Sequence, residues 1–153
     1  LLFGGGQEGG RRSGSEALPA IAAFGAAAAE EKRDFQKNVR RMIQVRDYLA
    51  KNLPVQIPGA RVLFPPEAPH ILSISLPDCR SEVLLNCLDG EGICVSKSSA
   101  CKKGGRSQVL EAMHIPAQLI DGALRLSFSR DNTLDEADAL LSALSRAHSR
   151  VHL

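Results

Sequence analysis

The residue with the clearest chemical context is Cys101. It lies in the stretch Ser96-Lys97-Ser98-Ser99-Ala100-Cys101-Lys102-Lys103-Gly104-Gly105-Arg106, which is small, polar and glycine-containing and reads as an exposed loop. Lys97, Lys102, Lys103 and Arg106 surround the cysteine and no acid does. Positive charge stabilises the thiolate, the nucleophilic form of cysteine. The plainer alternative is a solvated basic loop that happens to hold a cysteine. The other three cysteines carry less information. No two are spaced as C-x2-C, and no histidine follows at zinc-finger spacing, so a metal site is not expected. Without a secretory signal a disulfide framework is not expected either. Cys87 shares the apolar side of a helix with Leu84 and Leu88, and Cys94 sits in the apolar run Ile93-Cys94-Val95; both read as small core residues. Cys79 follows Pro77-Asp78 in a turn and has no distinguishing context.

Two further groups could bind anions. Residues 4–15 read GGGQEGGRRSGS. A phosphate loop of the G-K-[ST] kind would need a lysine that is missing here, and a dinucleotide fingerprint would need a strand–helix–strand continuation that does not follow. What remains is a loop that leads an anionic group to a helix N-terminus, with the Ser15 hydroxyl available to it. The alternative is a flexible loop with Ser15 as an ordinary N-cap. Arg125 lies in Ala123–Ser129, where Leu124, Leu126 and Phe128 alternate with Arg125 and Ser127. Such alternation predicts a strand with Arg125 pointing away from the apolar face. A guanidinium fork there suits a carboxylate; otherwise it is a solvent-facing arginine.

These groups need elements to position them. From about Glu16 to Asn52 the pattern is helical, with Phe35, Val39, Met42, Leu49 and Leu53 on one stripe and Pro54 and Pro58 as stops. At 1.5 Å per residue such a helix is about 55 Å long, enough to connect two bodies; a break near Gly25 is the alternative. Short elements follow. Arg61–Phe64 and His70–Leu76 read as strands, the second with Leu72, Ile74 and Leu76 inward and Ser73 and Ser75 outward. Ser81–Asp89 reads as a helix with Ser81 as N-cap and Gly90 as its end, Ile93–Ser96 as a strand, and Ser107–Met113 as a short helix. Thr133-x-x-Glu136 is a capping box that opens a last helix burying Leu134, Ala137, Leu141, Leu144 and Val151. The expected fold class is α+β, a long connecting helix followed by a small sheet packed against helices. The expected organisation is 1–15 as a glycine-rich tail, 16–52 as the connecting helix and 53–153 as the small domain.

Three of these segments, taken in order, resemble the cysteine desulfurases of the class V aminotransferase family. GGGQEGGRRSGS is similar to their glycine segment, typically GGGQE-R-G-x-R-S-G-T. VSKSSAC, ending at Cys101, is similar to their catalytic-cysteine loop. GALRLSFSR, containing Arg125, is similar to their strand x-x-[IL]-R-[IL]-S-[LF]-x-[RK], and VLEAM at 109–113 matches the short helix after the cysteine loop. The departures are Gly9 for the first arginine of the glycine segment, Lys102 after the cysteine, a shorter span from Cys101 to the next helix, and His114 where glycine is usual.

The resemblance implies the C-terminal portion of a fold-type I enzyme that uses pyridoxal phosphate. It implies conversion of L-cysteine to L-alanine, with Cys101 as the nucleophile that takes up the sulfur as a persulfide. Arg125 would bind the substrate carboxylate. Ser15, standing for the family's threonine, would reach the cofactor phosphate of the other subunit. It further implies a cytoplasmic homodimer and a sulfur-acceptor or iron–sulfur scaffold protein as partner. The cofactor-bearing lysine would precede residue 1, because none of the lysines Lys32, Lys37, Lys51, Lys97, Lys102 and Lys103 lies in a matching context; a chain that opens on Leu1 without Met fits a piece of a longer protein. The piece alone would then be inactive. A selenocysteine lyase, another class V relative, and a non-catalytic interaction domain are the alternatives.

Composition bounds the remaining classes. The chain has 153 residues, 44% hydrophobic and 24% charged, which fits a globular domain. No apolar run reaches the length of a membrane span. A net charge of +2 and 4% aromatics argue against a nucleic-acid partner.

Overall fold

The computed structural model describes residues 2–97 and 106–151, the last without its side chain; Cys101 lies outside the described residues. The chain contains α1 (Leu18–Gln56), β1 (Arg61–Val62), β2 (Ile71–Ser75), α2 (Ser81–Asp89), α3 (Gln108–Ala112), α4 (Ala117–Asp121), β3 (Ala123–Ser127) and α5 (Leu134–Val151). Its contacts divide it into two units, Leu1–Gln36 and Lys37–Leu153, so the division falls inside α1.

The first unit buries none of its described side chains and is organised by polar contacts. A short bridge pairs Leu2 with Arg12. The Ser13 hydroxyl donates to the Phe3 carbonyl at 2.9 Å, and Gln7 Oε1 accepts from the Gly14 amide at 3.3 Å. Pro19 falls in the first turn of α1, where its missing N–H has no helical partner to lose. Gly25 does not interrupt the helix.

The second unit is an α+β domain. Its sheet is antiparallel in the order β1-β2-β3. The register sets Leu72 opposite Leu126, Ser73 opposite Arg125 and Ile74 opposite Leu124. The four apolar residues of these pairs join one core with Val45, Leu49 and Leu53 of α1, Leu84 and Leu88 of α2, and Ala137, Leu141 and Leu144 of α5. Period two in the strands and period three to four in the helices thus meet in a single buried layer. The capping box forms as its spacing predicts: Thr133 N donates to a Glu136 carboxylate oxygen at 2.9 Å, and Glu136 N donates to Thr133 Oγ1 at 3.2 Å.

Several expectations are corrected. Pro54 does not end α1, which runs two residues further to Gln56. Leu53 and Ile57 are buried on either side of it while Pro54 itself faces solvent, and that burial offsets the lost backbone bond. Arg80, with an extended backbone, takes the N-cap place of α2 in the stead of Ser81. Ile93–Ser96 contributes only a bridge at Ser96. Ser75 is fully buried, because its hydroxyl donates to the Leu119 carbonyl at 2.7 Å and α4 covers that end of the sheet. Phe35 is exposed although it falls on the apolar stripe. Cys94 is exposed, and Cys79 is buried at 2% relative exposure.

Two backbone positions carry specific demands. A Cβ on Gly122 would lie 2.0 Å from the Leu76 carbonyl oxygen, so the start of β3 closes on the end of β2 only with glycine there. His114 has φ 57° at the end of α3, where its N–H bonds the Glu111 carbonyl and the Ile115 N–H bonds the Leu110 carbonyl. That is a helix-ending motif which favours glycine, the residue usual here in the family this chain resembles. Gly122→Ala is expected to destabilise the protein by about 3 kcal/mol. His114→Gly is expected to stabilise it by about 1 kcal/mol, because the left-handed backbone penalises any Cβ. Urea denaturation of the two variants checks both signs; a more stable Gly122→Ala or a less stable His114→Gly would refute the respective argument.

Candidate functional site around Arg125

Arg125 is exposed at the middle of β3, on the side of the sheet opposite Leu124 and Leu126. Its backbone is held twice by Ser96: Arg125 N donates to the Ser96 carbonyl at 2.6 Å, and Ser96 N donates to the Arg125 carbonyl at 3.1 Å. The guanidinium has no hydrogen bond or ion pair among the described residues. It lines a cleft of about 230 Å³ together with Phe64, Ser73, Lys97, Ser107 and Met113. Among the described residues, no carboxylate lines this cleft. A guanidinium unpaired among the described residues, facing a small space with apolar walls and serine hydroxyls, is suited to a carboxylate, which it can hold with two parallel hydrogen bonds.

Lys97 and Ser107 both line this cleft, so both ends of the segment that holds Cys101 meet at Arg125. Each end is also tied down by an ion pair. Lys97 pairs with Glu82 of α2, which also accepts from Arg80 at 3.2 Å. Arg106 grips Asp121 of α4 with two bonds, Nε to Oδ1 at 2.6 Å and Nη2 to Oδ2 at 2.7 Å. The hydrogen bond from Lys97 holds the Glu82 carboxyl below the usual carboxylate range, and the bonds from Arg106 do the same for Asp121. This revises the charge argument for Cys101. Lys97 and Arg106 are already paired with acids 15 residues away in sequence. Glu82 and Asp121 carried no sequence signal, because only the tertiary fold brings them there.

Ser15 is exposed and belongs to the other unit. Its hydroxyl has no hydrogen bond among the described residues. Arg12 shapes the turn by donating from Nη1 to the Gly14 carbonyl at 3.0 Å and the Ser15 carbonyl at 2.9 Å. Helix α1 starts three residues later at Leu18, so Ser15 is not its N-cap. Cys79 is a poor nucleophile: burial and the neighbouring Asp78 both push its thiol pKa up. Among the described residues, no group of three or more His, Cys, Asp or Glu side chains is placed to hold a metal ion, and no helix is long and apolar enough to cross a membrane.

Fold and site together define a small α+β domain that presents an arginine, unpaired among the described residues, beside the two ends of a cysteine-bearing segment. Residues 6–140 match the family model described as Aminotransferase class-V, and the chain belongs to that family. It is 38% identical over 97% of its length to a NifS/IcsS protein homolog from Lactobacillus delbrueckii subsp. bulgaricus, of which it covers 40%. It is 35% identical over 94% of its length to a cysteine desulfurase from Gluconacetobacter diazotrophicus, of which it covers 37%. The solved structure of a NifS-like protein superposes with a TM-score of 0.83 at 32% identity, over 98% of this chain and 38% of that one. The chain therefore spans about two fifths of the length of these relatives.

The ion pairs set a pH dependence. Asp121 and Glu82 have lowered pKa values in the folded chain, so their contribution is present above the ordinary carboxylate pKa of about 4 and is lost only as pH falls through the lowered value. Carboxyl-carbon NMR is expected to show Asp121 titrating below the ordinary aspartate range, and returning to it in Arg106→Gln. An ordinary or raised value in the native chain would contradict the two-bond pairing.

Proposed function

We propose that this chain is the sulfur-accepting part of a cysteine desulfurase that converts L-cysteine to L-alanine. The observation that carries the reading is the Arg125 guanidinium, unpaired among the described residues, in a cleft that no described carboxylate lines, with both ends of the Cys101 segment at its rim. Arg125 holds the substrate carboxylate. Cys101 is four residues from Lys97 in sequence. Its thiolate forms a bond to the substrate sulfur as the substrate carbon–sulfur bond breaks, and the electron pair stays with carbon. The resulting persulfide is passed on when an acceptor thiolate attacks the outer sulfur and Cys101 leaves as thiolate.

Pyridoxal phosphate is the cofactor of this reading. The Ser15 hydroxyl, exposed and without a hydrogen bond among the described residues, fits a phosphate oxygen. Lys97, the lysine at the Arg125 cleft, is held by Glu82 and does not fit a covalent attachment. When bound, the cofactor supplies the electron sink for breaking bonds to the substrate carbon. In the same reading the full-length protein is a cytoplasmic homodimer, and an iron–sulfur scaffold or other sulfur-acceptor protein receives the sulfur. These points rest on the likeness to cysteine desulfurases and on no contact within this chain.

In the full-length protein, Cys101→Ser is expected to abolish alanine release from L-cysteine while substrate binding is retained. Arg125→Lys is expected to raise the KM for L-cysteine by roughly 10- to 100-fold, since a charged hydrogen bond of about 1.5–3 kcal/mol is lost. Steady-state assays with L-cysteine and L-selenocysteine measure both. Undiminished activity in Cys101→Ser would end the nucleophile assignment. Activity in that variant confined to selenocysteine would favour a lyase.

A further inference from the structure

A second surface of the Lys37–Leu153 unit is rich in positive charge. Lys37, Arg40, Arg41 and Gln44 follow the spacing of one helical face on α1, and with Asn38 and Arg130 they line an open cleft of about 450 Å³. Among the described residues, no carboxylate lines it. Arg41 is fixed in place: its Nε donates to the Asn132 carbonyl at 3.1 Å and its Nη1 to Gln44 Oε1 at 3.3 Å, which leaves further donors on a positioned guanidinium. Four cations line this cleft; Arg41 also lies in the field of the Glu136 carboxylate and Arg130 has an interaction of its own, so Lys37 and Arg40 carry the charge on which the cleft depends. It is not the Arg125 cleft; the two share no lining residue.

We infer that this cleft docks a short acidic peptide segment of a partner protein. From Lys37 to Gln44 the helical face is only about 10 Å long, which accommodates two or three carboxylates. The exposed acids Asp131 and Asp135 follow Arg130 in sequence, and Glu136, whose carboxylate accepts from Asn132 and Thr133, comes next. These acids disfavour a long polyanion that would have to run past them. Among the described residues no aromatic side chain lines the cleft, so these residues offer no stacking surface for bases. Both points favour a carboxylate-rich peptide over nucleic acid. The inference does not depend on the chemistry assigned to Cys101.

The test uses the full chain and fluorescein-labelled hexaglutamate, with fluorescence anisotropy read at low ionic strength. Binding is expected, weakening as salt rises. The paired reversal Lys37→Glu with Arg40→Glu is expected to weaken it at least about tenfold, whereas Lys51→Glu, elsewhere on α1, leaves it unchanged. Circular dichroism shows whether the doubly reversed chain folds; if it does not, Lys37→Gln with Arg40→Gln is read in its place. The inference is overturned if hexaglutamate does not bind, if the folded double variant binds as well as the native chain, or if Lys51→Glu weakens binding equally. Tighter binding of labelled decathymidylate, lost in the same double variant, would assign the cleft to nucleic acid and overturn it too.

Discussion

The paired backbone bonds between Ser96 and Arg125 are the constraint on which the rest of the site depends. β3 lies at the edge of the sheet, and Ser96 occupies the outer side of that edge at its middle residue. Because the N–H and C=O of Arg125 both turn toward Ser96, Arg125 sits opposite Ser73 as a pair without mutual backbone bonds, the kind whose side chains come closest. Ser73 in turn gives its carbonyl to Leu63. One alternating ladder therefore fixes the Arg125 side chain on the open face, buries Leu124 and Leu126 on the other, and starts the Cys101 segment one residue beyond Ser96. A slip of one residue in β3 would exchange the arginine for leucine in the cleft and bury a charge in the core.

Charge is distributed with a clear division. The cations that flank the cysteine segment, Lys97 and Arg106, have acid partners on α2 and α4. The cation that faces the cleft, Arg125, has none among the described residues. Arg46, buried at 7% relative exposure, is satisfied by Asp47 and the Ala68 carbonyl and anchors α1 to the segment before β2. The paired cations Lys97, Arg106 and Arg46 hold structure. The pairs around the loop are partly exposed, so they act chiefly by fixing geometry and little through net stability.

Periodicity made much of this legible in the sequence. Alternation placed Arg125 on the correct face because the strand has one buried side and one open side, and the Thr133–Glu136 spacing marked a helix start because both capping bonds are local. The glycine segment, the cysteine loop and the arginine strand pointed to the family because each is a short contiguous motif. The rest depended on contacts between distant residues. Nothing near Glu82 or Asp121 in sequence announces Lys97 or Arg106. Cys94 sits in an apolar run yet is exposed, while the unpromising Cys79 is buried, because burial depends on what the tertiary fold lays over each residue. Pro54 read as a stop because local backbone chemistry says so, and burial of Leu53 and Ile57 overrode it. Helix α4 had only Pro116 as a start signal.

The central claim is that sulfur is delivered to the cysteine tethered between Ser96 and Arg106 and to no other. The most direct measurement is peptide mass spectrometry of the full-length protein after brief exposure to L-cysteine and alkylation of all thiols and persulfides. The account predicts one added sulfur atom on the peptide containing Cys101, with Cys79, Cys87 and Cys94 unmodified. Added sulfur on Cys94, the exposed alternative, with none on Cys101 would contradict it.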